Sequence, residues 1–198
     1  MSILRLIGDV HGKYSQYLQL IQDVEYSIQL GDMGFDYSLL KNVDSKKHKI
    51  LAGNHDNYDN MDYPHFLGNF GVYKVEETEF FFVRGGFSID KALRIPRISW
   101  WEEEELTWQE MNDCVELYRI VKPTMVLSHE CPSEILPYIC TNTLKLTPSV
   151  TSGLLNELWT LSQPFYWCFA HHHKNWLGEL KNTRFQCLDE LTYANIEI

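Results

Sequence analysis

Short apolar runs that each end in glycine and polar residues recur along the chain, and they set the predicted order of elements. Ile3 to Ile7 closes on Gly8-Asp9-Val10-His11-Gly12, after which Tyr14, Tyr17, Leu18 and Ile21 share one face of a predicted helix. Tyr26 to Leu30 and Lys49 to Ala52 read as two further buried strands, running into Gly31-Asp32 and Gly53-Asn54-His55-Asp56. Val72 to Val75 and Glu79 to Val83, separated by Glu76-Glu77-Thr78, predict a hairpin. Glu102 to Ile120 predicts the longest helix, with acids at its start that suit the helix dipole and Leu106, Met111, Val115 and Tyr118 for an apolar face. The Glu102 to Glu105 run is expected to lie in solvent. Thr124 to Leu127 predicts a strand ending at Ser128-His129, Thr151 to Leu161 a helix, and Phe165 to Ala170 a strand ending at His171-His172-His173. Arg184 to Leu188 and Ala194 to Ile198 close the chain as strands. Buried strands with intervening helices imply an α/β fold whose sheet is covered on both faces, with ligand sites beyond the carboxyl ends of the strands.

Composition changes this picture little: 198 residues, 44% hydrophobic and 22% charged, are expected to form one globular domain spanning residues 1–198. A formal net charge of −10 repels nucleic acid and anionic lipid, so a DNA-binding role is disfavoured. Two bound divalent cations would reverse the field within one pocket without altering that balance. The five cysteines, Cys114, Cys131, Cys140, Cys168 and Cys187, lack any C-x-x-C spacing and read as reduced residues of a cytoplasmic protein. No apolar run approaches the roughly 18 residues of a membrane span, and Met1 to Asp9 lacks the pattern of a signal peptide. His48 and His65 match no motif and are expected to be incidental.

The candidate chemistry sits at the ends of five predicted strands: Asp9 and His11, Asp32, Asn54 and His55, His129, then His171 and His173. Mixed imidazole and carboxylate donors on rigid supports are what a pair of divalent cations requires. Gly8, Gly31 and Gly53 suit close-packed turns before those donors, or simply end strands.

In order, Asp9-Val10-His11, Gly31-Asp32, Gly53-Asn54-His55-Asp56, His129 and Ala170-His171-His172-His173 resemble the motifs of the calcineurin-like metallophosphoesterases. The resemblance implies an αββα sandwich of two mainly mixed β-sheets flanked by helices. It further implies that Asp9, His11 and His173 hold one metal and Asn54, His129 and His171 the other, with Asp32 bridging them. His55 matches the family's non-ligand catalytic histidine, and Asp56 would orient it by accepting a hydrogen bond from its ring. Ala170 stands where the family has glycine, which implies a slight backbone adjustment, and His172 is expected to point away from the metals.

The implied activity is hydrolysis of a small phosphodiester, nucleotide or phosphomonoester by a metal-bridging hydroxide, His55 assisting departure of the leaving group. The alternatives are a metal-binding scaffold of the same fold without catalysis, and a nuclease. Nitrogen and oxygen donors suit Mn, Fe, Zn or Ni better than Ca, with Mn preferred. The stretch Arg84 to Trp101 is similar to a loop of small bacterial and bacteriophage members, and Arg94, Arg97 and Trp100 are its candidate substrate contacts. No arginine stands beside Gly31-Asp32 or just before Asn54, which weakens a protein-phosphatase reading.

Overall fold

The structure is a computed structural model and describes residues 2–140 and 148–198. Strands β1 (Ile3–Ile7), β2 (Tyr26–Gln29) and β3 (His48–Ile50) run parallel and form a four-stranded sheet with β10 (Tyr193–Glu197), which lies antiparallel to β1. The second sheet has the order β4-β5-β6-β7-β9-β8: β4 (Phe70–Val75), β5 (Thr78–Val83), β6 (Met125–Ser128), β7 (Tyr166–Phe169), β8 (Trp176–Leu180) and β9 (Thr183–Cys187). Strands β5, β6, β7 and β9 are parallel, and β4 and β8 are antiparallel edges.

Period-two alternation builds the layers. Leu4, Leu6 and Ile28 of the first sheet face Phe80, Phe82 and Leu127 of the second, forming the core between them. Phe81, Val83, Val126 and Trp167 point the other way, against helices α2 (Trp108–Val121) and α4 (Val150–Leu161). Ile7 and Ile50 pack outward on α1 (Tyr14–Ile21) through Tyr17 and Ile21. Each such side chain contributes about 1.5–3 kcal/mol by leaving water, so a one-residue slip in register, which turns every inward side chain outward, would unseat a whole layer. The result is the expected sandwich of two mixed sheets between helices. Among the described residues no helix is long and apolar enough to cross a membrane.

Three expectations need correction, and two elements were not foreseen. The long helix starts at Trp108 and not at Glu102, because Thr107 closes a capping box with Glu110 and so fixes the first turn there. Glu104, expected in solvent, is buried at 3% exposure and accepts hydrogen bonds from Ser88. Leu18 falls outside the buried face of α1. Strand β8 went unseen because it is a half-exposed edge interrupted by Gly178, whose missing side chain leaves room for the Trp176 ring. A four-residue helix α3 (Leu136–Ile139) was also unforeseen.

His48 and His65 are not surface residues. His48 Nδ1 lies 2.9 Å from Ser27 Oγ, and His65 Nε2 donates to the Val43 carbonyl at 3.0 Å. Burial holds both imidazoles below their ordinary range, helped by the His65 ring at His48 and by Lys49 at His65. The folded state resists their protonation more than the unfolded chain does, in which they protonate from about pH 6.5 downward. Unfolded chains therefore bind more protons below that pH, and this contribution to stability falls as pH falls. Thermal melts at pH 7 and pH 5 should show a smaller loss for His48→Gln than for the unsubstituted protein; an equal loss would remove His48 from the account.

Candidate metal centre

The carboxyl ends of the parallel strands of both sheets converge on one edge of the sandwich. Asp9 and His11 follow β1, Asp32 follows β2, Asn54 and His55 follow β3, His129 follows β6, and His171 and His173 follow β7. Four of these residues adopt left-handed backbone: His11 (φ 48°), Asp32 (φ 59°), His171 (φ 65°) and His173 (φ 50°). Most side-chain-bearing residues avoid that region, which Asp and His enter more readily than most, so these tight turns are ones the donor types themselves tolerate. Gly31 (φ 107°) is required for a second reason, since a Cβ would strike the His129 ring. Ala170 fits in place of glycine: it is fully buried in the intersheet core and its N–H donates to the His129 carbonyl at 3.0 Å.

Two donor clusters share Asp32. Asp9, His11, Asp32 and His173 form one, and Asp32, His129 and His171 the other, with the ligand atoms of each group all within 4.8 Å of one another. In the first, His11 Nε2 lies 3.0 Å from His173 Nε2, and Asp9 Oδ2 lies 3.0 Å from His173 Nε2. Asp9 Oδ2 is buried yet accepts no hydrogen bond among the described residues. Burial would raise the Asp9 carboxyl, but His11 and His173 outweigh it and hold it at about 2.

Tautomers define the second cluster. The Leu30 carbonyl, 2.7 Å from His129 Nδ1, can only accept, so Nδ1 carries the proton and Nε2 is left as a lone pair. Glu130 Oε2 likewise sits 3.2 Å from His171 Nε2, leaving His171 Nδ1 as the lone pair, 3.2 Å from His129 Nε2. Asn54 Oδ1 at 3.1 Å and Asp32 Oδ1 at 3.2 Å from His129 Nε2 complete the group. Four acceptor atoms facing one another demand a positive charge between them. Without a metal a proton serves: burial opposes it, but Asp32 pushes the His129 imidazole up to about 10 and is itself held far below the usual carboxylate range. A ligand role for His129 requires that proton to leave. The convergent lone pairs and the orphaned Asp9 oxygen fit a pair of divalent cations.

Three residues that the sequence reading missed hold these donors in place. Asn54 Nδ2–H donates to Ser88 Oγ at 3.2 Å, and Ser88 donates to Glu104 at 2.5 Å from its hydroxyl and 3.0 Å from its N–H, which turns the Asn54 oxygen toward His129. Glu130, 4% exposed, accepts from His171 and, at 2.7 Å, from His172. His172 thus turns its Nε2 onto Glu130 while its ring lines the cleft, flanked by Cys131 Sγ at 3.3 Å and Cys140 Sγ at 3.7 Å. The signal for Glu130 was its position directly after His129; Ser88 and Glu104 had none beyond their types.

Asp56 does not orient His55. Both of its oxygens are taken by the backbone N–H groups of Asp32, Met33, Gly34 and Gly53 and by the Tyr37 hydroxyl, at 2.8–3.3 Å. Four of the five donors, from Asp32, Met33, Gly34 and Tyr37, tie that segment to the Asn54 loop, while burial and the Asp32 charge push the Asp56 carboxyl up to about 7. His55 is fixed instead by its N–H, which donates to Asp32 Oδ1 at 2.7 Å, by edge contact with His11, and by Arg94, which donates to His55 Nε2. Burial first, then Arg94, lowers the His55 imidazole to about 4.

A cleft of about 540 Å³ opens beside Asp32, Asn54 and His55, and Arg94 lines it. Arg97 and Trp100 do not. Arg97 is engaged by Asp59 at 3.0 Å and Glu103 at 2.8 Å, and Trp100 is covered by Lys91 Nζ, 4.1 Å from its ring centroid. Their expected substrate contacts therefore lack geometric support.

A family model described as calcineurin-like phosphoesterase matches residues 4–175. No curated protein sequence matches the chain. Among solved structures, the phosphopantetheinyl hydrolase of Mycobacterium tuberculosis is similar with a TM-score of 0.56 and 14% identity, covering 94% of this chain and 89% of that one. A hypothetical protein of Thermus thermophilus is similar with a TM-score of 0.52 and 15% identity, covering 94% and 75%. At these identities the likeness is one of fold.

Proposed function

The chain belongs to the calcineurin-like phosphoesterase family, and on that premise we propose that it is a metal-dependent hydrolase of a small phosphodiester, nucleotide or phosphomonoester. The observation that carries this reading is the pair of donor clusters sharing Asp32 at the end of an open cleft. Asp9, His11 and His173 would hold one cation and Asn54, His129 and His171 the other, with Asp32 common to both. Two divalent cations there, Mn in preference to Fe, Zn or Ni, would supply a water acidic enough to attack near neutral pH and would polarise the phosphoryl oxygens.

The protein's own groups do the rest. Glu130, Ser88 and Glu104 keep the lone pairs of His171 and Asn54 aimed inward. Asp56 keeps the two ligand loops in register. His55 and Arg94 face the same cleft, where Arg94 can exchange its contact with His55 Nε2 for a phosphate oxygen. That exchange frees His55 Nε2 to hold the proton that the leaving oxygen needs. A phosphopantetheinyl hydrolase of the same fold is consistent with the ester class, though it names no substrate for this chain.

The test is hydrolysis by protein stripped with a chelator and reloaded with Mn or Zn, offered aryl phosphates, aryl phosphodiesters and cyclic nucleotides. Turnover of at least one ester by the reloaded protein, absent from the stripped protein, is expected. Two bound ions with no turnover of any ester would establish the scaffold reading instead.

A further inference from the structure

Away from Asp32 and Asn54 the cleft changes character. Its wall there includes Phe87, Ile89, Leu136 and Val150. Ile89 is 66% and Val150 54% exposed, so apolar side chains are held against water beside a highly polar end. Water-facing apolar surface in a cleft gains free energy when an apolar ligand covers it.

The same region offers little to a second anion. Arg94 is the one lysine or arginine lining the cleft among the described residues, and it is already engaged by Asp90 at 2.7 Å, by the Asn54 carbonyl at 3.1 Å and by His55. Helix α4 points its N-terminus into the cleft, a position that ordinarily favours phosphate. Here Glu105 occupies it, accepting from the Thr151 N–H at 2.9 Å and hydroxyl at 3.0 Å, while Ser149 accepts from the Ser152 N–H at 2.9 Å. An anionic group beyond the reacting phosphate would therefore meet Glu105 and the Asp90–Arg94 pair with, among the described residues, no cation of its own.

We infer that the group carried by the phosphate beyond the metal-competent end is a neutral, apolar arm, alkyl or aryl, seated against Phe87, Ile89, Leu136 and Val150. This rests on the phosphoesterase reading above and narrows it, placing nucleoside polyphosphates outside the substrate range.

Calorimetric titration of Mn-loaded protein with non-hydrolysable alkylphosphonates, methyl to hexyl, tests it. Kd should fall by about fourfold per added methylene until the lobe is filled, and a carboxylate-tipped phosphonate of equal length should bind about tenfold or more weakly than its alkyl partner. Ile89→Asp and Val150→Asp, at exposed positions that substitution leaves foldable, should flatten the series. Leu93→Asp, 88% exposed on the same loop and outside the cleft lining, should keep the slope. A Kd independent of chain length, or equal affinity for the carboxylate-tipped ligand, would overturn the inference. A preserved slope in a protein that hydrolyses no ester would support the apolar arm while removing the hydrolase reading.

Discussion

Asp32→Asn is expected to lose bound metal and turnover together, by about a thousandfold or more, while the protein remains folded. Asp32 is the one carboxylate common to both donor clusters, with Oδ1 3.2 Å from His129 Nε2 and Oδ2 3.8 Å from His11 Nε2. A unit charge about 4 Å from a cation is worth about 4 kcal/mol at the effective permittivity of a protein site, which is about a thousandfold in affinity. Asparagine retains an oxygen that can accept from the His55 N–H, as Asp32 Oδ1 does at 2.7 Å, so the loop keeps its shape. Metal analysis and turnover of the purified variant, beside its thermal melt, check this. Retained metal with lost turnover would move Asp32 from ligand to some other role.

His55→Ala should have the opposite signature: metal content intact, turnover lower by about 10²–10⁴-fold, and the deficit largest for esters with weakly acidic leaving groups. His55 belongs to neither donor cluster, yet it lies against His11 and lines the cleft. Its imidazole is held neutral at pH 7 by burial and by Arg94. A role in protonating the leaving oxygen therefore depends on the substrate displacing Arg94 and adding negative charge beside the ring. A series of aryl esters of graded leaving-group acidity reads this directly, because the slope of rate against leaving-group pKa should steepen in the variant. Loss of both ions on His55→Ala would erase the division between ligand and acid.

The candidate donor positions were legible in the sequence because each follows a buried strand, and strand ends are where apolar runs give way to glycine and polar residues. The two-sheet sandwich rested on the resemblance, since alternation places residues in or out but does not say which sheet a strand joins. The four glutamates Glu102 to Glu105 show the limit most clearly. Identical in type and contiguous, they divide into exposed Glu102, Glu103, which holds exposed Arg97, Glu104, buried under Ser88, and Glu105, capping α4. Only tertiary packing separates them. Asp56 was misread for a related reason: adjacency to His55 suggested a ring contact, whereas the turn directs its carboxylate to backbone N–H groups of the Asp32 loop. Arg94 and Arg97 likewise looked equivalent at a spacing of three, and the loop turns one into the cleft and the other onto Asp59 and Glu103.

The claim that the two clusters sharing Asp32 act as one catalytic centre is tested most directly by titrating metal-free protein with Mn while counting bound ions and following ester hydrolysis. Full turnover is expected only when two ions are bound per chain. Full turnover at one ion per chain would contradict it.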